Sequence, residues 1–166
     1  MKDLKILLLT PYYERPNMVK NTLNSILINN ETYKNWELAF IDDGSIKKGR
    51  PIVEGILKDH LDKVKFYYIN DSIENKIKQG GSRQGEYMNK TIKESNADIG
   101  FLLMDDDALL EGCLLNLNKW FNENPNRMYT YSDQYEYDPF VHLPLKENIN
   151  KFKKTEQSST ITWRIE

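Results

Sequence analysis

The feature that most constrains the fold is a series of short, continuously apolar runs that alternate with helical patterns. Two such runs, at residues 6–9 and 38–41, contain no polar residue. A run of this length without polar alternation is typical of a strand covered on both faces. Between them, apolar residues keep helical spacing from residue 16 to about residue 29. The segment therefore predicts a β-α-β unit with parallel strands.

The same alternation continues along the chain. It predicts helices marked by Ile52, Val53, Ile56 and Leu57, then by Met88, Thr91 and Ile92, then by Leu110, Leu114, Leu117 and Phe121. Further strands are expected at residues 64–69 and 99–104, an irregular loop over residues 133–154, and a short β-like segment at residues 160–163. With 166 residues the chain has the length of one domain. We expect an α/β fold with a mostly parallel sheet.

Composition excludes several classes of function. The 23 basic and 25 acidic side chains are interspersed and give a net charge of −2, so we expect no nucleic-acid partner. One cysteine and two histidines argue against a disulfide framework and a structural zinc site. The longest nearly apolar stretch, residues 99–104, is far shorter than the ~20 residues of a membrane span. With no signal peptide in view either, we expect a cytoplasmic protein without a membrane span.

Polar residues follow three of the predicted strands. They are Thr10, Pro11, Tyr12 and Tyr13 after the first strand, Asp42 and Asp43 after the second, and Asp105, Asp106 and Asp107 after the fourth. Ligands of parallel sheets bind outside the carboxyl ends of the strands. These residues therefore predict one candidate site at a single edge of the sheet.

The three consecutive carboxylates call for a counter-charge. At an effective dielectric near 20, two unit charges ~4 Å apart repel by about 4 kcal/mol. A magnesium or manganese ion would supply the charge and keep open positions for phosphate oxygens. The alternative is that Asp107 caps the next helix while its neighbours lie in water.

The other polar motifs also have two interpretations. Asp42 and Asp43 precede a glycine, so they either form an ordinary turn or accept hydrogen bonds from a base or a ribose. Arg83 follows two glycines and a serine before a predicted helix, where it either pairs with a phosphate or lies on the surface. His60 is expected to pack at a helix end, and four alternating tyrosines at residues 129–137 are expected to pack on a sheet.

In order and spacing, these motifs resemble the family 2 glycosyltransferases, which have the GT-A fold. Residues 10–16 resemble the opening Thr-Pro-x-Tyr-Asn-Arg-Pro of that family, with Glu14 in place of asparagine, and residues 36–45 resemble its second strand. Residues 82–90 and 97–107 resemble the segments that lead to its DXD motif, and residues 158–164 its later Ser-Ser-x-x-x-Arg strand. The resemblance implies a GT-A, Rossmann-like three-layer sandwich over residues 1–166.

The resemblance also implies roles for single residues. Donor binding falls to Thr10, Pro11, Tyr12, Tyr13, Asp42, Asp43, Lys78, Arg83 and Asp105. Alignment with the DXD motif makes Asp106 the metal ligand, whereas strand alternation favours Asp105 and Asp107. We side with the alignment, because the motif lies at a strand end.

The implied activity is transfer of a sugar from a nucleoside diphosphate sugar, foremost a UDP-sugar, to an acceptor hydroxyl with inversion and with Mn²⁺ or Mg²⁺. The family takes its catalytic base from a segment after the Ser-Ser-x-x-x-Arg strand, so we expect this chain to lack the acceptor-side segment. Substitutes within the chain are Asp133, Glu136, Asp138 and His142. The alternatives are a non-catalytic sugar-nucleotide-binding module and a nucleotidyltransferase, although the latter usually carries a glycine-rich, lysine-bearing loop after its first strand.

Overall fold

The apolar runs form the strands of a central sheet, and the helical patterns form helices that cover it. The structure, a computed structural model, describes residues 1–78, 80–132, 135–136, 153–154 and 160–165. Its strands are β1 (Ile6–Tyr12), β2 (Trp36–Asp42), β3 (Val64–Tyr68), β4 (Ile99–Leu102), β5 (Tyr129–Ser132), β6 (Tyr135–Glu136), β7 (Lys153–Lys154) and β8 (Thr160–Arg164). Its helices are α1 (Met18–Asn30), α2 (Arg50–Ile56), α3 (Ile73–Lys78), α4 (Gln84–Glu94) and α5 (Cys113–Glu123), with a 3₁₀ segment at Lys58–Lys63.

The main sheet has six strands in the order β3-β2-β1-β4-β8-β5. The first four are parallel to one another, and β8 runs antiparallel to both β4 and β5. The expected α/β fold with a mostly parallel sheet is confirmed. Strand order reverses between β1 and β4, because β2 and β3 extend the sheet on one side of β1 and β4 on the other. Such a reversal opens a crevice at the carboxyl ends of the two strands.

Both faces of the sheet are covered, which explains why β1 and β2 contain no exposed residue. Ile6 and Leu8 pack in the larger core cluster, with residues of α1, α2 and α5. Leu7 and Leu9 face the opposite way and pack with Met88 and other residues on the side of α4. Successive side chains of a strand alternate between faces, so a run of four apolar residues supplies both cores of a three-layer sandwich.

The antiparallel strand β8 joins the parallel part of the sheet to helix α5. The Trp163 ring lies over Gly100 of β4, where an added Cβ would approach ring atoms to 2.5 Å, so only glycine fits. Arg164 donates from Nη2 to the main-chain oxygen of Phe121 at 2.5 Å and from Nε to that of Arg127 at 3.0 Å. These bonds satisfy carbonyl groups at and beyond the end of α5.

The structure differs from the sequence prediction at several elements. Strands β1 and β2 extend through Tyr12 and Asp42, so Thr10, Pro11, Tyr12 and Asp42 end these strands instead of following them. Helix α3 is not predicted, because its six residues carry too few apolar side chains for a helical pattern. Strand β4 ends two residues early, at Leu102, and α5 begins only at Cys113, after Gly112 with φ 78°. The small β6–β7 ladder lies inside the predicted loop of residues 133–154. Most of that interval lies outside the described residues.

The remaining fold predictions concern His60 and the membrane. The His60 ring packs edge-on to Trp36, with 6.0 Å between ring centroids, at a break within the 3₁₀ segment. The predicted packing of His60 is confirmed, but its position is inside the 3₁₀ segment and not at a helix end. In the part of the chain that the structure describes, each helix is too short or too polar to cross a membrane.

Candidate functional site

The loops that follow β1, β2 and β4 meet at the carboxyl edge of the sheet, as the parallel arrangement requires. The main-chain N–H of Tyr13 donates to Asp105 Oδ2 at 3.1 Å, which ties the first loop to the third. The N–H of Glu14 donates to Ser45 Oγ at 3.1 Å, which ties the first loop to the second. The structure thus brings the three predicted strand ends together around the crevice between β1 and β4.

Glu14 gives the first of these loops its shape. Its φ of 53° lies in the left-handed region, which few residues other than glycine and asparagine adopt. The Glu14 carboxylate accepts hydrogen bonds from the main-chain N–H groups of Ile46 and Lys47. These contacts hold an unfavourable backbone conformation and position the second loop against the first.

Asp105 is buried at the centre of the crevice, with 3% of its surface exposed. Besides the Tyr13 N–H, its carboxylate contacts Arg15, whose Nη1 lies 3.1 Å from Oδ1. Burial raises the pKa of Asp105, and the Asp106 charge raises it further, while the Tyr13 N–H and Arg15 act in the opposite direction. Arg15 therefore supplies one counter-charge within the protein, to Asp105 and Asp106.

Asp106 and Asp107 lie in a turn beyond the end of β4. The Asp107 N–H donates to the Met104 oxygen at 3.1 Å, and Thr22 Oγ1 of α1 donates to the Asp107 oxygen at 2.6 Å. Asp106 is half-exposed, and its Oδ2 lies 2.5 Å from Arg15 Nη1. Burial raises the pKa of Asp107, and the charges of Asp106 and Asp105 add to that effect. Strand β4 ends at Leu102, before the three aspartates. The alternation of side chains along a strand therefore does not determine which carboxylate is available to a metal.

The carboxylates do not form a ready-made metal cage. Among the described residues, no group of three or more His, Cys, Asp or Glu side chains is arranged to hold an ion. Magnesium is usually bound by one or two carboxylates together with substrate phosphates, so a preformed cage is not required. A half-exposed Asp106 beside a buried Asp105 fits that kind of donor set.

The two aspartates at the end of β2, Asp42 and Asp43, have different surroundings. Asp42 accepts a hydrogen bond from the Ser45 N–H at Oδ1, 2.8 Å away, and one from the Gly49 N–H at Oδ2, 3.0 Å away. Both of its oxygens thus organise the following loop. The turn interpretation therefore accounts for Asp42. The prediction that its carboxylate also contacts the nucleotide sugar stays a prediction.

Asp43 keeps one oxygen without a hydrogen bond, although the residue is only 5% exposed. Lys76 Nζ of α3 lies 3.0 Å from Asp43 Oδ1 but directs its hydrogen bond to the Asp43 main-chain oxygen, 2.6 Å away. The same ammonium lies 4.9 Å from the centroid of the Tyr13 ring, which is 45% exposed. A buried acceptor, an ammonium and an open aromatic face therefore lie side by side.

Lys76, and not the predicted donor-binding residue Lys78, lies beside Asp43 and Tyr13. Lys78 pairs instead with Glu74 at 2.8 Å, and both side chains are largely exposed. Residues two apart point to different sides of a helix, so only one of the two lysines can face Asp43. Because α3 was not predicted, the sequence pattern did not favour Lys76 over Lys78.

Arg83 lines an open cleft of about 550 Å³ together with Gly80, Gly81, Ser82 and Glu86. Its guanidinium donates from Nε to Glu86 Oε2 at 2.8 Å. The Glu86 carboxylate raises the pKa of Arg83, and Asp71 adds a smaller effect. Arg83 is thus already paired with a carboxylate on its own helix.

The remaining predicted contacts of the first strand divide between the core and the surface. Thr10, Pro11 and Tyr12 are buried, and Thr10 Oγ1 has no hydrogen-bond partner. The Tyr12 hydroxyl donates to the Lys47 oxygen at 2.7 Å, and burial, with the charge of Asp42, raises the pKa of Tyr12 to about 12. Of these four residues, Tyr13 is the one with an exposed ring.

The proposed substitutes for the catalytic base are mostly outside the described residues, which is where Asp133, Asp138 and His142 fall. Glu136 lies in β6, opposite Lys153 of β7. The assignment of these four residues as substitutes for the catalytic base stays a prediction.

Comparison with known proteins identifies relatives along most of the chain. The profile described as Glycosyl transferase family 2 matches residues 8–165. The GalNAc(5)-diNAcBac-PP-undecaprenol beta-1,3-glucosyltransferase of Campylobacter jejuni is 28% identical over 119 residues, which is 72% of this chain. The aligned part covers 35% of that relative, so the chain spans about a third of its length.

Solved structures share the fold at low sequence identity. S. aureus TarS superposes with a TM-score of 0.60 and 18% identity, over 78% of this chain and 21% of TarS. The mannosyltransferase PcManGT from Pyrobaculum calidifontis, in complex with GDP-Man and Mn²⁺, superposes with a TM-score of 0.60 and 15% identity, over 76% of this chain and 34% of that one. A complex of S. aureus TarS with UDP gives 0.59 and 20% identity, over 72% and 32% of the two chains.

The profile match extends over both the parallel strands and β8, and the fold agrees with that of solved glycosyltransferases. The chain belongs to glycosyl transferase family 2.

Proposed function

We propose that this chain is a GT-A domain, spanning residues 1–166, that binds a nucleoside diphosphate sugar and takes part in transferring the sugar to an acceptor hydroxyl. The transfer proceeds with inversion and depends on Mn²⁺ or Mg²⁺. A UDP-sugar is the favoured donor, and a carbohydrate or another hydroxyl compound is the acceptor. The family match supports the reaction class, and the solved relatives bound to UDP and to GDP-Man with Mn²⁺ support the donor class.

The observation that carries the proposal is the buried Oδ1 of Asp43, which has the Lys76 ammonium 3.0 Å away but accepts no hydrogen bond. A buried carboxylate oxygen without a hydrogen bond is costly and calls for a donor. The imide or amide N–H of a nucleobase is such a donor, and the exposed ring of Tyr13 offers a face on which a base can stack. The Lys76 ammonium, beside both, suits an exocyclic carbonyl oxygen of uracil.

The diphosphate belongs at the neighbouring part of the crevice. Asp106 would hold the metal with one carboxylate, and the buried Asp105 would contact the ribose or support the metal. A divalent ion bound there would neutralise the charge that develops on the diphosphate as the glycosidic bond breaks. The Tyr13 N–H and Arg15 already hold the Asp105 carboxylate in a defined orientation before any ligand binds.

The test is calorimetric titration of UDP, GDP and CDP in the presence and absence of Mn²⁺. We expect UDP to bind in a metal-dependent manner, because the carboxylates otherwise repel the diphosphate. Asp43→Asn should weaken UDP binding by about 1 to 3 kcal/mol, since it replaces an acceptor oxygen of the pocket. Asp59→Asn, at an exposed position of the 3₁₀ segment, makes the same change in charge and serves as the control.

Two results would contradict the proposal. If none of the three nucleotides binds with or without metal, the nucleotide-sugar site is absent. If Asp43→Asn and Asp59→Asn bind UDP as the unmodified chain does, the nucleoside does not contact Asp43.

A further inference from the structure

Arg15 links the two carboxylates that the proposed function assigns to the ribose and the metal. A single nitrogen, Nη1, lies 3.1 Å from Asp105 Oδ1 and 2.5 Å from Asp106 Oδ2. Arg15 belongs to the loop after β1 and the two aspartates to the loop after β4, so the contact spans the crevice at the reversal of strand order. Arg15 lies within the matched motif of residues 10–16, in which no role was predicted for it.

The two aspartates differ in burial. Asp105 is buried and is also held by the Tyr13 N–H, so it keeps a partner if the guanidinium leaves. Asp106 is half-exposed, with 40% of its side chain accessible, and it is the carboxylate that an incoming ion reaches first. The Arg15 side chain is 48% exposed, which leaves the guanidinium room to move.

We propose that Arg15 is a positioning residue that occupies the metal-facing oxygen of Asp106 in the free protein and releases it when metal and nucleotide bind together. The inference rests on the proposed function. A divalent ion bound at that oxygen would lie close to the guanidinium and repel it, so binding of the ion opposes the Arg15 contact. The released guanidinium then finds a new anionic partner in the diphosphate, for which arginine is well suited.

This arrangement predicts a coupling between the two ligands. Metal alone must displace Arg15 without offering it a new partner, so it binds weakly. Metal with UDP supplies that partner, so each ligand raises the affinity for the other.

The experiment measures Mn²⁺ binding directly, from the loss of the spin-resonance signal of the free ion, without and with UDP. For Arg15→Gln we expect the affinity for Mn²⁺ alone to rise by about tenfold, equivalent to ~1.4 kcal/mol. We also expect UDP to increase that affinity less than it does in the unmodified chain. Arg15→Lys retains the charge and should retain the weak binding of Mn²⁺ alone.

Lys2→Gln is the matched control. Lys2 forms an ion pair with Asp98, and the substitution removes its positive charge. Asp98 lies just before the start of β4, so this pair is at the opposite edge of the sheet from Asp106. We expect it to leave Mn²⁺ binding unchanged. Arg15→Met is interpreted in the same way as Arg15→Gln if the glutamine variant does not fold.

The outcomes separate this inference from the proposed function. If Mn²⁺ binds the unmodified chain with UDP, but Arg15→Gln binds Mn²⁺ alone no more tightly, Arg15 does not compete for the metal site and the proposed function stands. If Lys2→Gln raises the affinity as much as Arg15→Gln does, the effect is one of net charge, and the inference is wrong. If the unmodified chain binds no Mn²⁺ with or without UDP, the metal dependence and this inference both fail.

Discussion

Replacing Lys76 by methionine tests whether the Lys76–Asp43 pair holds the edge of the sheet together. Methionine keeps the linear stem of lysine and removes both its charge and its donors. Lys78→Met makes the identical change two residues further along α3, where the ammonium pairs with Glu74 in solvent. The two variants therefore differ in position and not in chemistry.

The geometry gives the expected size of each effect. At the 3.0 Å between Lys76 Nζ and Asp43 Oδ1, the attraction is about 5.5 kcal/mol at an effective dielectric of ~20, before desolvation is counted. Desolvation of the two groups offsets much of this, so loss of the ammonium should lower the free energy of unfolding by about 1 to 3 kcal/mol. The exposed Lys78–Glu74 pair should contribute less than about 0.5 kcal/mol.

Urea unfolding measures the difference. With a slope of ~2 kcal/mol per molar urea, Lys76→Met should lower the midpoint by about 0.5 to 1.5 M. Lys78→Met should leave the midpoint nearly unchanged. We also expect Lys76→Met to weaken UDP binding by about tenfold, while Lys78→Met does not. Equal midpoints for the two variants would refute the reasoning, because the buried pair would then contribute no more than the exposed one.

Three further predictions concern other parts of the chain. Asp106→Ala should lower metal-dependent UDP affinity by at least about tenfold. It should lower the free energy of unfolding by less than ~1 kcal/mol, because the Asp106 side chain is 40% exposed. Calorimetry measures the first effect and urea unfolding the second, and normal metal dependence in the variant would exclude Asp106 as the metal ligand. Burial raises the pKa of Asp98, but hydrogen bonds from the Lys2 ammonium and from a main-chain N–H outweigh burial and hold that pKa below its ordinary value. Asp98→Asn should therefore destabilise the protein by about 1 to 2 kcal/mol at pH 7. The difference in free energy of unfolding between the two chains should shrink as the pH falls below the ordinary carboxyl range, because protonation of Asp98 then removes the stabilisation from the unmodified chain too. A constant difference in urea unfolding from pH 7 to pH 3 would contradict this prediction. Gly44→Ala should destabilise the protein by about 2 kcal/mol or more, because the Gly44 φ is +74° and the new Cβ would lie 2.8 Å from the Ile69 main-chain oxygen. An unchanged melting temperature would show that the loop adapts and would contradict this prediction.

The sheet and the place of the site follow from the sequence because both depend on simple patterns. A short apolar run covered on both faces predicts a parallel strand, and parallel strands bring the segments after residues 12, 42 and 102 to one edge. No long-range contact has to be known for that step. The same reasoning predicts the fold class, which the structure confirms.

The assignment of single side chains depends on contacts that the sequence pattern does not contain. Asp42 and Asp43 are adjacent and chemically identical, yet the first binds two N–H groups of its own loop and the second faces Lys76. Which lysine reaches Asp43 depends on α3, a helix of six mostly polar residues that has no clear apolar periodicity. Arg15 was visible in the motif, but its contact with Asp105 requires two loops about 90 residues apart to meet.

The position of β8 has a consequence for the order in which the chain can fold during synthesis. Strand β5 joins the sheet through β8, whose residues follow it in the chain by roughly thirty positions. While the ribosome is still making residues 133–159, the strands β3, β2, β1 and β4 can already pair, but β5 has no partner and β4 has an open edge. An open edge beside an apolar strand invites pairing with another chain. The nascent protein is therefore most exposed to aggregation in the interval before residues 160–164 emerge, and a pause in translation there should lower the yield of folded protein.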